Sequence, residues 1–154
     1  MIERRRQIQA LLQLIGDVLA AAAAVIIAYW LRFEVQIHPV TKGLPPFSMY
    51  LRLVPVVVIL YPLVFYFQGL YQRRRIRSRV DDAMRVVVAV LLATVLLTAG
   101  LTFYRPPDFT YSRLFLAVFA AVNVILVGVM RWLIGVTLAT QRGDEVKLIV
   151  DAVV

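Results

Sequence analysis

Gly69–Arg85 reads GLYQRRRIRSRVDDAMR, and it lies between two long apolar runs. It holds six arginines: Arg73, Arg74, Arg75, Arg77, Arg79 and Arg85. A short loop this rich in Lys and Arg between apolar segments stays on the cytoplasmic side of a membrane and sets the orientation of its neighbours. The chain before it therefore reads as one out-and-back pair of membrane helices, and the chain after it as a second pair.

The bulk composition agrees with this reading. The 154 residues are 62% hydrophobic, with a mean hydropathy of +0.82. A soluble domain is only about 45–50% apolar, so a bilayer is the better solvent for these segments. There is no cysteine, which excludes a disulfide framework and Cys-based metal sites. The net charge of +8 would point to nucleic acid in a soluble protein. Here the arginines flank apolar runs, and no nucleic-acid-binding motif accompanies them, so orientation and anionic lipid explain the charge.

Outward from the basic loop, four spans are expected at about 8–31, 47–68, 83–104 and 112–134, each near the 20 residues that a helix needs to cross. Arg4–Arg6 precede the first span, and Tyr29 and Trp30 close it. Pro55 and Pro62 should bend the second, because each removes a backbone donor. Pro106 and Pro107 end the third. With this topology, 12 of the 17 Lys and Arg residues fall on the loop side and 5 on the other. Both termini are then cytoplasmic, and the fold class is an all-α membrane protein, an antiparallel bundle of four transmembrane helices spanning residues 1–142.

Some residues do not suit hydrocarbon. Asp17 follows Arg6 by a stretch of about 16 Å of helix, which places its carboxylate inside the cytoplasmic leaflet. Arg131 reaches a similar depth from the far end of the fourth span. A lone charge there is costly, so the two are expected to pair. Asn123, mid-span, is expected to bond Thr94 or Thr98, two of three threonines spaced four apart. Gly16, Ala20, Ala24 and Ala28 form a stripe that lets another helix approach closely. The residues 143–154 change character, and LIVDAVV at Leu148–Val154 reads as the first strand of a truncated soluble domain, which the resemblance described below implies to be Rossmann-like.

The sequence holds no catalytic constellation. One histidine (His38), no HExxH and no cysteine leave no metal-ligand set. A nucleophile elbow, a Walker loop and a GxGxxG are all absent from the sequence. Asp81 and Asp82 are adjacent, so on a helix they point apart, and a salt-bridge role suits them better than an ion site. The arginines Arg73, Arg74, Arg75, Arg77 and Arg79 are candidates to contact lipid phosphate, against the simpler reading of a solvated, orienting loop.

Several short motifs carry a resemblance. Asp17 in the first span, Arg32 closing it, Gly69-Leu70-Tyr71 before the arginines and Tyr111-Ser112-Arg113 opening the fourth span resemble the N-terminal membrane region of bacterial polyprenyl-phosphate glycosyl-1-phosphate transferases. Such enzymes move a sugar phosphate from a nucleotide sugar to undecaprenyl phosphate, initiating exopolysaccharide or O-antigen assembly at the inner membrane. The resemblance implies an anchoring domain, with dimerisation as a second role, and partners among membrane lipids and undecaprenyl phosphate; nucleic acid is not among them. The family's Mg2+ and acidic dyad belong to a catalytic domain that lies further on, so no catalytic residue and no cofactor is carried over. Asp151 stands where the family's Rossmann-like segment has its first glycine. Membrane-bound nucleotide-sugar 4,6-dehydratases are a near alternative with a similar membrane region, and a stand-alone, non-catalytic four-span scaffold is another. A small transporter using Asp17 is a third class of reading.

Overall fold

A computed structural model describes residues 2–35, 45–72, 79–104 and 111–153, and every element among them is helical. Helix α1 is Ile2–Tyr29, continued by a π-helical turn at Trp30–Glu34; α2 is Phe47–Leu51; α3 is Leu53–Phe67; α4 is Arg79–Phe103; α5 is Arg113–Val153. Four stretches are long and apolar enough to cross a membrane: Gln7–Glu34, Phe47–Phe67, Val80–Phe103 and Arg113–Thr140. His38 and Lys42, the arginines Arg73, Arg74, Arg75 and Arg77, and the Pro106–Pro107 pair lie outside the described residues.

The ends of the helices follow local chemistry. The Ser112 hydroxyl accepts the Phe115 backbone N–H at 3.4 Å and so caps α5. Between α2 and α3 the helix is interrupted at Arg52. Pro55 has no N–H to offer the Leu51 carbonyl, so the ladder fails there. Pro62, by contrast, is accommodated inside α3. The π-helical turn is closed by Val35 N–H to the Trp30 carbonyl at 3.1 Å. The wider turn carries Arg32 and Phe33 to buried positions.

The expected strand at Leu148–Val154 is not formed: α5 continues through these residues to Val153. A lone strand would leave its backbone N–H and C=O groups without a ladder partner, whereas a helix satisfies them within the segment. Residues 143–153 thus extend the last apolar helix.

Two kinds of packing hold the helices together. Helix α1 packs against α5 and α3, and α4 packs against the same two. The α1 contact uses small residues: Ala20, Ala24 and Ala28 are buried, and a Cβ on Gly16 would stand 3.4 Å from Met130 Cε and 3.5 Å from Ile134 Cδ1. Close backbone approach of this kind is what small-residue stripes provide when lipid supplies no hydrophobic driving force. Between α2/α3 and α5 the filler is aromatic. Tyr50 packs on Phe115 with ring centres 4.4 Å apart, Tyr61 packs on Phe119 at 5.5 Å, and Phe115 and Phe119 are nearly parallel at 6.1 Å. All four rings are fully buried. Such pairs contribute about 0.5–1.5 kcal/mol each beyond their area.

Candidate functional site

Two polar junctions tie the apolar helices together, one at each end of the α2–α3 stretch. At the end that leads into the arginine-rich segment, Arg131 Nη2 lies 2.7 Å from Asp17 Oδ2. Asp17 is 1% exposed, and Arg131 is 16% exposed at its side chain. The Tyr71 hydroxyl donates to the same Oδ2 at 2.9 Å, and Arg131 Nη1 donates to the Leu70 carbonyl at 3.4 Å. The guanidinium also stands 5.7 Å from the Tyr71 ring centre and 5.9 Å from that of Phe65, within range of the ring quadrupole.

This junction is built by a turn that α3 makes as it ends. Gly69 adopts φ +68°, a left-handed conformation that glycine enters without steric penalty. The Leu70 N–H reaches back to the Phe65 carbonyl at 3.0 Å. The chain then reverses so that the Leu70 carbonyl and the Tyr71 ring face α1 and α5. Both the buried environment and the neighbouring Asp17 carboxylate push the Tyr71 hydroxyl above its ordinary value, so it stays a neutral donor. Asp17 Oδ1 and Arg131 Nε have no hydrogen-bond partner, because both donors converge on one carboxylate oxygen.

The opposite junction centres on Tyr50. Its hydroxyl accepts the Ser112 backbone N–H at 3.5 Å, its ring lies edge-on to Tyr111 at 5.6 Å, and Phe33 stands 5.3 Å away. Arg32 lies over the Phe33 ring at 5.6 Å and is close enough to act on Tyr50. Tyr29 donates to the Pro45 carbonyl at 2.8 Å. The short motifs therefore sort by end: Asp17 with Gly69, Leu70 and Tyr71; Arg32 with Tyr111 and Ser112. Arg113, the first residue of α5, is exposed.

Asn123 does not make the expected bond to Thr94 or Thr98. The Thr94 hydroxyl pairs with the Tyr61 hydroxyl at 2.7 Å and lies 2.7 Å from the Val90 carbonyl, while Thr98 bonds the Thr94 carbonyl at 2.7 Å. The threonines are thus engaged by their own helix and by a tyrosine from α3. Asn123, fully buried, is close enough to Tyr61 to act on it, yet neither Oδ1 nor Nδ2 has a partner of hydrogen-bond geometry. Sequence reading missed Tyr50 and Tyr61. Their signal was only a tyrosine within an apolar run, where a hydroxyl must find a polar partner when buried. Among the described residues no group of acidic or histidine side chains could hold a metal ion. Arg79 opens α4.

Long apolar helices joined by buried polar contacts define the class: an all-helical protein, among the described residues, with four stretches long and apolar enough to cross a membrane. Residues 66–154, more than half of the chain, match the model of the CoA-binding domain family, and the chain belongs to that family. This domain is found in sugar-transferase and polysaccharide-biosynthesis proteins. Neither a curated protein nor a solved structure matches the chain.

Proposed function

We propose that this chain is the membrane-anchoring domain of a polyprenyl-phosphate sugar-1-phosphate transferase that initiates exopolysaccharide or O-antigen synthesis. In this reading the helices form an antiparallel four-helix bundle in a bacterial inner membrane, with both termini and the arginine-rich loop in the cytoplasm. The observation that carries it is the Asp17–Tyr71–Arg131 junction. It fastens the turn that follows α3 to the first and last long helices. Membership of a domain family found in sugar-transferase and polysaccharide-biosynthesis proteins supports the same reading. The loop arginines then meet lipid phosphate, undecaprenyl phosphate included, by electrostatic attraction. The chain acts as scaffold and anchor.

The test is an assay of the full protein encoded by the gene, in native membranes supplied with labelled nucleotide sugars. Transfer of label into the lipid fraction, abolished when the membrane domain is deleted, is the expected result. NAD-dependent conversion of the nucleotide sugar with no labelled lipid would transfer the assignment to the dehydratase alternative. Neither activity would leave a scaffold alone.

A further inference from the structure

The long helices are flush at one end and staggered at the other. At the Tyr50 end, Tyr29 of α1 bonds Pro45 just before α2, and Ser112 at the head of α5 bonds Tyr50 of α2. At the other end α3 stops at Phe67, and the turn after it meets Asp17 of α1 and Arg131 of α5. Yet the apolar stretch of α1 begins at Gln7, ten residues before Asp17, and that of α5 runs to Thr140, nine residues past Arg131. At about 1.5 Å per residue, both helices run about 14 Å past the level of the Asp17–Arg131 pair and so overhang the end of α3.

The bilayer cannot match all of these lengths at once. Phe47–Phe67 has 21 residues, whereas Gln7–Glu34 and Arg113–Thr140 have 28 each. These correspond to about 31 Å and about 42 Å, against a hydrocarbon core of about 30 Å. Tilting would shorten the long helices across the membrane, but it would tilt α3 with them, since the two junctions tie them together.

The surface of the overhang shows what surrounds it. On α1 the exposed residues Ile8, Leu11 and Ile15 lie in line with Leu19 and Ile26. On α5, Trp132 and Val136 continue the line of Ile125 and Val129. At 3.6 residues per turn each set falls within an arc of about 90°. Asp17 is on the opposite side of α1, buried. The outward apolar stripe therefore passes the level of the Asp17–Arg131 pair without a break, and on α1 it gives way to Arg4–Arg6 only near the chain start. A surface that is continuous with the lipid-facing one takes the same occupant.

We propose that phospholipid of the cytoplasmic leaflet covers the α1/α5 overhang, so that the bilayer is stepped around the bundle. It is thicker along α1 and α5 and thinner at α3, with the Asp17–Tyr71–Arg131 junction at the foot of the step. Acyl chains lie against Ile8, Leu11, Trp132 and Val136, and headgroups rise to the arginines at the start of α1. This inference rests on the membrane-spanning reading above.

The two tryptophans, Trp30 and Trp132, stand at opposite ends and are 57% and 63% exposed. Each can be made the sole fluorophore by Trp132→Phe or Trp30→Phe. The proteins are reconstituted in phosphatidylcholine–phosphatidylglycerol vesicles, with and without bromine on the acyl chains. The expected result is loss of Trp132 emission in bromolipid to the same extent as Trp30, with protection from aqueous acrylamide. Quenching of Trp132 by acrylamide and not by bromolipid would overturn the proposal, because the overhang would stand in water. Protection from both quenchers would overturn it too, since protein would then cover the site. Bromolipid quenching of neither tryptophan would instead remove the membrane-spanning reading itself.

Discussion

Tyr71 donates its hydroxyl to Asp17 Oδ2 at 2.9 Å, across 54 positions of the chain, and shares that one oxygen with Arg131 Nη2 at 2.7 Å. A turn residue next to the arginine-rich segment thereby closes a contact between the first and last helices. Tyr71→Phe keeps the ring over the guanidinium and removes only the hydrogen bond. A bond to a charged acceptor is worth about 1.5–3 kcal/mol. Unfolding in detergent should report that loss, and trypsin should cut the Arg73–Arg77 segment faster. Unchanged stability together with an unchanged cleavage rate would show that the hydroxyl does not hold the loop.

The same residue sets an alkaline dependence. The Tyr71 hydroxyl is held above the ordinary tyrosine value of 10.0. Above that pH the unfolded chain loses the proton while the folded one keeps it, so the unfolded state is favoured progressively. The contribution is complete below pH 10 and lost as pH rises towards the higher folded value. The difference in stability between wild type and Tyr71→Phe, measured from pH 8 upward, should shrink above about pH 10. A constant difference would argue against a shifted tyrosine.

Removing one charge of the Asp17–Arg131 pair strands the other in a buried place. Either Asp17→Leu or Arg131→Leu alone should destabilise the detergent-solubilised protein by about 3–5 kcal/mol. The double substitution should cost clearly less than the sum, because nothing is then left uncompensated. Additive losses in a thermal or denaturant series would mean that the two side chains are not energetically coupled.

Asn123 is buried with its amide unpartnered, whereas the Tyr61 hydroxyl is paired with Thr94. The two should respond in opposite directions. Asn123→Leu, which keeps the same branched heavy-atom skeleton, should be neutral or stabilising by about 1 kcal/mol, since it removes an unsatisfied polar group. Tyr61→Phe should cost about 1 kcal/mol by breaking a made bond. Strong destabilisation by Asn123→Leu in equilibrium unfolding would show that the amide has a partner in the membrane.

At Gly16 the question is space. A methyl group would meet Met130 and Ile134 at ordinary contact distance, so Gly16→Ala should be tolerated. Gly16→Leu should push α1 from α5 and cost about 1–3 kcal/mol through overpacking. Engineered cysteines at Gln13 and Thr137, scored for cross-linking rate, would register the separation. Equal rates in Gly16→Leu and wild type would refute the close contact.

The amino-acid sequence by itself determined how many long apolar helices there are and which connection is basic. Those properties follow from what hydrocarbon excludes, and they can be counted along the chain. It also marked Asp17, Arg131 and Asn123 as residues out of place in apolar runs, and Gly16, Ala20, Ala24 and Ala28 as a surface for close approach. The sequence already suggested Arg131 as the partner of Asp17, and only the tertiary structure decided the remaining partners. Tyr71 reaches Asp17 because Gly69 can take a left-handed turn, and Tyr61 takes the threonine that Asn123 was expected to bond. The helical run through Leu148–Val153 likewise escaped a β-branched composition, since without a ladder partner the backbone closes its own hydrogen bonds. The stagger of α3 against α1 and α5 is not visible in span lengths alone. It depends on which residues are level with one another, and that is set by contacts between residues far apart in the chain.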